Sequence, residues 1–103
     1  MRVTISARHC TITDSLRERA TGILDRLSQL TPFAQEGTVV FDSEPLRQTA
    51  EVRLRLSGGQ VLVAAGQGDD HRTALDRAED RLRRQLERPT AKPALGRRSA
   101  RKA

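Results

Sequence analysis

The chain has 103 residues, 31% of them charged and 36% apolar, with Phe33 and Phe41 as its only aromatics and Cys10 as its only cysteine. That predicts one domain with a small aliphatic core and excludes an intrachain disulfide; no apolar run reaches membrane-spanning length, so a soluble cytoplasmic protein is expected. The formal net charge of +6 is unevenly placed: residues 1–87 carry 13 arginines against 13 acidic groups, while residues 88–103 carry six cations and no acid.

Residues 2–7, RVTISA, alternate in polarity, with Val3, Ile5 and Ala7 on one face, and read as a half-buried strand. His9 and Cys10 follow. Adjacent strand residues point apart and no second ligand pair with zinc spacing exists, so neither a metal site nor a catalytic role is expected there. Thr13 or Asp14 is a suitable N-cap for a helix reaching Leu30, with Leu16, Ala20, Ile23, Leu27 and Leu30 at helical spacing on one face. Arg19 and Arg26 share one flank of that helix. Gly22 lies mid-helix, where glycine costs about 1 kcal/mol relative to alanine, and suggests a close approach. Thr31-Pro32 ends the helix.

Residues 38–42 read as a second strand, 44–48 as a polar connection and 49–57 as a third strand with Val52, Leu54 and Leu56 inward. Gly58-Gly59 marks a hairpin turn into a fourth strand over 60–66. Gly66-Gln67-Gly68 has the start of a dinucleotide fingerprint. The third glycine position, however, holds His71, and Asp69-Asp70 would put negative charge where a pyrophosphate sits. These acids suit the positive end of a helix instead. No nucleophile–base pair or carboxylate dyad stands out, so no enzyme, cofactor or small-molecule substrate is expected.

Residues 70–88, DHRTALDRAEDRLRRQLER, form the second helix. Leu75, Ala78, Leu82 and Leu86 fall within about 80° of arc, an apolar stripe suited to packing on a sheet. Arg77, Arg81, Arg84 and Arg88 line up at i, i+4, i+7 and i+11 as a ridge, with Asp76, Asp80 and Glu87 between ridge and stripe on the other side. Guanidinium groups can grip phosphate with paired hydrogen bonds, although a solvated helix laced with i,i+4 ion pairs such as Asp80–Arg84 has the same composition. The order is β-α-β-β-β-α. The predicted class is α+β, a four-stranded mixed sheet with two helices packed on one face over residues 1–88, followed by a disordered basic tail at 89–103. Poverty in aromatics disfavours single-strand binders that stack bases, and favours folded RNA met through shape and phosphates.

Several segments resemble the ribosome hibernation-promoting and ribosome-associated inhibitor family, also described as sigma-modulation proteins. Asp70-x-x-x-Ala74-Leu75-Asp76 followed by Asp80-Arg81-Leu82-Arg83-Arg84-Gln85-Leu86 is similar to that family's D-x-Y-x-A-I-D and D-K-L-x-R-Q-L. Ile12-Thr13, Leu16-Arg17, Arg26-Leu27 and the Gly-Gly hairpin into Val61-Leu62-Val63-Ala64 agree as well. The resemblance implies a fold similar to double-stranded RNA-binding domains and docking on the small ribosomal subunit, near the decoding region, with inhibition of translation. Arg26, Arg81, Arg84 and Arg88 stand where the family carries basic residues that would meet ribosomal RNA, and Arg77 is an addition on the same ridge. Arg72 replaces the family's tyrosine, and Ile23 occupies an often basic position. The partner expected is therefore the small subunit and its RNA, with no membrane. A general double-stranded RNA-binding domain and a protein–protein module are the alternatives.

Overall fold

The structure, a computed structural model, describes residues 1–87. Its elements are β1 (Arg2–Arg8), α1 (Asp14–Leu30), β2 (Ala34–Glu44), β3 (Arg47–Leu56), β4 (Val61–Gly68) and α2 (His71–Glu87). The four strands form one sheet in the order β1-β2-β3-β4; β1 runs parallel to β2, and the other pairs are antiparallel. Both helices contribute to a single core on one face of the sheet, aliphatic as expected except for the fully buried Phe41. The predicted class is the observed one.

Strand register arranges that face in three rows. Val3, Gly37, Leu54 and Leu62 form one, Ile5, Val39, Val52 and Ala64 the next, and Ala7, Phe41, Ala50 and Gly66 the third. The two internal glycines decide where the helices sit. A Cβ on Gly37 would stand 2.9 Å from Leu24 Cδ2, so the leucine of α1 occupies the space that the missing side chain leaves. At Gly66 the backbone of α2 itself comes down: a Cβ there would collide with the Ala74 carbonyl oxygen and stand 2.7 Å from Ala78 N. Ala74, Leu75, Ala78 and Leu82 of α2 are fully buried over β3 and β4.

Several expectations need correction. Leu24 is buried and Leu30 is 45% exposed, because Leu24 finds the hole over Gly37 whereas Leu30 lies in the last helical turn. Leu86 is only partly buried. Gly22 is not a close approach, since a Cβ there would meet nothing nearer than Arg26 Nη1 at 3.8 Å. The polar connection at 44–48 shrinks to a turn at Pro45-Leu46, because Glu44 and Arg47 already pair across the ladder. Strand β4 runs on through Gly68, so Gly66-Gln67-Gly68 belongs to the sheet rather than to a phosphate loop. His9 and Cys10 fall just past β1, with His9 in the left-handed region at φ 59°. Arg88 and the tail at 89–103 lie outside the described residues.

Candidate nucleic-acid interface

Helix α2 begins at a side-chain cap: the Thr73 amide donates to Asp70 Oδ1 at 2.7 Å. That bond, with help from the Thr73 hydroxyl, holds the Asp70 carboxyl below its usual range. His71 fixes the same end to the sheet, donating from Nε2 to the Asp42 carbonyl at 2.9 Å and meeting Phe41 edge to face. The close approach at Gly66 and the buried stripe set which flanks the helix turns outward. One flank overhangs the free edge of β4 and the other faces α1.

On the outer flank Arg77 Nη1 donates to the Gln67 carbonyl at 2.7 Å, Arg81 Nη1 to the Ala65 carbonyl at 2.6 Å, and Gln85 Nε2 to the Val63 carbonyl at 3.0 Å. These side chains saturate carbonyls on an edge strand that would otherwise be left unpaired. Arg84 leans toward Asp80, 2.7 Å away, and both partners are more than half exposed. Helical spacing places it next to Arg77 and Arg81.

The inner flank is different. Arg19 of α1 directs Nε and Nη2 at Asp76 Oδ1, at 3.1 and 2.8 Å. Arg26 reaches Glu79 at 3.3 Å, and Glu79 also receives Arg83 at 2.9 Å while only 14% exposed. So of the six arginines proposed from sequence, Arg77, Arg81 and Arg84 stand together on the outer side of α2. Arg19 and Arg26 stand at the seam between the helices, each held by a carboxylate, and Arg88 lies outside the described residues. Glu79 is not marked as a site residue by the sequence pattern, and Gln85 enters there only as a member of the Asp80–Leu86 motif, with no binding role. Gln85 extends the spacing of Arg77 and Arg81 to i+8 and was readable on that ground; the double role of Glu79 depends on α1 and was not.

Among the described residues no three His, Cys, Asp or Glu side chains gather to hold a metal ion, and no helix is long and apolar enough to cross a membrane.

A four-stranded mixed sheet under two helices is the architecture of ribosomal interface proteins of known structure. The chain matches a ribosomal subunit interface protein from Coxiella burnetii with a TM-score of 0.79 at 22% identity, covering 89% of this chain and 100% of that one. It also matches the N-terminal domain of Protein Y from Thermus thermophilus with a TM-score of 0.73 at 29% identity, covering 85% and 98%. The chain belongs to the sigma 54 modulation protein / S30EA ribosomal protein family, whose model matches residues 3–93. Its relatives include the ribosome hibernation promoting factors of Pseudomonas putida, 33% identical over 91 residues and 85% of each chain, and of Escherichia coli, 31% identical over 86 residues, 84% of this chain and 90% of that protein.

Proposed function

We propose that this protein binds the small ribosomal subunit near the decoding region through the arginines of α2 and holds ribosomes out of translation. The observation that carries the reading is family membership along the whole domain: the similarity to hibernation promoting factors runs through both helices and the sheet. Arg77 and Arg81 support it in chemistry, since each is paired with a neutral carbonyl and keeps its full positive charge for phosphate. A ribosomal partner places the protein in the cytoplasm, and no catalytic step is part of this reading.

Two regions divide the work in this proposal. The arginines of the folded body, with Arg88, supply placement, and residues 89–103 supply diffuse attraction to an RNA-rich surface. Sucrose-gradient profiles of ribosomes with and without the protein test the partner and report whether ribosomes stay single or pair. Arg81→Glu with Arg84→Glu is expected to abolish comigration with the small subunit while the domain stays folded. Comigration of the folded double variant would refute the arginine placement. Comigration lost equally to any added double-stranded RNA would favour a general RNA-binding domain, and comigration insensitive to salt and nuclease would favour a protein–protein module.

A further inference from the structure

The outer flank of α2 has a regularity that edge protection alone does not require. Arg77, Arg81 and Gln85 advance by four residues along the helix while their acceptors, Gln67, Ala65 and Val63, retreat by two along the strand. Four helical residues rise about 6.0 Å. Two strand residues span about 6.6 Å. The two repeats stay in step over three rungs only because helix and strand run antiparallel and the close approach at Gly66 sets their separation.

Each rung uses up part of its side chain and leaves the rest facing outward. Arg77 and Arg81 each spend one Nη1 donor on the strand. Among the described residues their Nε and Nη2 groups have no partner, and the bond already made restrains each guanidinium at one end. Gln85 spends one N–H of its amide on the Val63 carbonyl, which leaves a second N–H and its side-chain oxygen, an acceptor, without partners among the described residues. A phosphate oxygen cannot satisfy that acceptor; a ribose 2′-hydroxyl can, and this hydroxyl distinguishes RNA from DNA.

We propose that the Arg77–Arg81–Gln85 ladder is a preorganised track for the backbone of one RNA strand along the β4 edge. The two guanidiniums take successive phosphates, and Gln85 accepts from a ribose 2′-hydroxyl beside them. The strand carbonyls of Gln67, Ala65 and Val63 are the positioning groups. They hold the forks in a binding orientation before RNA arrives, which lowers the ordering cost that long side chains usually incur on binding. This rests on the reading that α2 meets ribosomal RNA, and it adds Gln85 and a requirement for arginine rather than mere positive charge.

The test has one arm without ribosomes and one with them. In the free full-length chain with ¹⁵N-labelled arginine, NMR is expected to show hindered guanidinium rotation for Arg77 and Arg81 but not for the exposed Arg72. In binding to purified small subunits, Arg77→Lys with Arg81→Lys keeps both charges and loses both forks. It is expected to bind about tenfold more weakly with an unchanged salt slope, since that slope counts charge contacts rather than geometry. Gln85→Met is expected to bind several-fold more weakly, again with an unchanged slope, and to leave reactive to 2′-hydroxyl acylation a nucleotide that the wild-type chain protects. Freely rotating guanidiniums, or a lysine variant binding as well as wild type, would overturn the ladder while leaving ribosome binding intact. Wild-type chain that shows hindered rotation yet fails to bind the subunit would overturn the ribosomal reading, and the RNA role of the ladder with it.

Discussion

The same substitution, glycine to alanine, should have opposite effects at two places in this domain. At Gly66 the added Cβ would collide with the Ala74 carbonyl oxygen and stand 2.7 Å from Ala78 N and 2.9 Å from Arg77 Cβ. Non-bonded carbon contacts settle near about 3.5–4.0 Å, so α2 must lift by roughly 1 Å. Overpacked cores lose about 1–3 kcal/mol where side chains can give way. Here the obstacles are mainly backbone, and the upper figure, ~3 kcal/mol, applies. A domain of this size loses about 4–8 °C in midpoint per kcal/mol, which puts the drop at roughly 12–24 °C. At Gly22 the new methyl would meet only Arg26 Nη1 at 3.8 Å, an ordinary contact. Glycine-to-alanine inside a helix then stabilises by about 0.5–1 kcal/mol, raising the midpoint by roughly 2–8 °C. Thermal melts followed by far-UV circular dichroism, with urea midpoints alongside, measure both. A Gly66→Ala protein within about 0.5 kcal/mol of wild type would refute the seating of α2 on β4. A destabilised Gly22→Ala protein would refute the open space assigned to α1 at that turn.

Leu82→Ala removes a fully buried side chain from the stripe of α2 and is expected to cost ~2–5 kcal/mol in urea unfolding, with less than about 0.5 kcal/mol meaning that the stripe is not packed. The Asp70 cap makes a pH prediction. Its folded pKa lies below the unfolded value of 3.8, so its contribution to stability is present above that value and disappears as pH falls through the folded pKa. Urea midpoints of wild type and Asp70→Ala, compared from about pH 6 downward, should therefore converge in acid; a gap that persists at the lowest pH would assign the effect to something other than the charged cap.

What could be read in the chain was whatever depends on one element at a time. The Thr13 cap of α1, the Gly58-Gly59 turn and the stripe of α2 are local patterns, and each stands where the pattern puts it. Leu24 is not legible as core because it lies about 80° around the helix from Leu16, at the margin of the stripe, and is buried only by virtue of Gly37 on a strand that helical periodicity cannot see. Leu30 lies within the stripe by angle and is exposed nonetheless. Strand ends are hidden from the sequence pattern for a related reason. Glu44 and Arg47 are polar and read as loop, but ladder hydrogen bonds and the ion pair between their side chains hold them in the sheet. At the candidate site the arginines were visible and their engagements were not. A helical wheel separates Arg77 and Arg81 from Asp76, but it holds neither the strand carbonyls that take two guanidiniums nor the opposing helix whose arginines take the acids.

These engagements change how the formal charge should be counted. Eight of the thirteen arginines in residues 1–87 stand in ion pairs, whereas Arg77 and Arg81 are paired only with neutral carbonyls. A phosphate approaching the outer flank of α2 thus meets two uncompensated cations and a third, Arg84, held by Asp80. Because both members of that pair are exposed, an RNA phosphate can compete for the guanidinium, but the carboxylate remains nearby and repels it. Asp80→Asn removes the repulsion and frees Arg84, so the variant should bind small subunits more tightly, and its log–log salt slope should steepen by about 0.7–0.9 if one phosphate contact is gained. Stability should barely change, since exposed i,i+4 pairs are worth about 0.3–0.5 kcal/mol. Glu87→Gln supplies the control: it removes an acid from the same helix that holds no arginine among the described residues, so any diffuse effect of lower negative charge appears there too. Tighter binding by Asp80→Asn beyond that of Glu87→Gln would identify Arg84 as a phosphate contact restrained by its neighbour. Equal effects in the two variants, or weaker binding by Asp80→Asn, would show that Arg84 serves the helix and not the RNA.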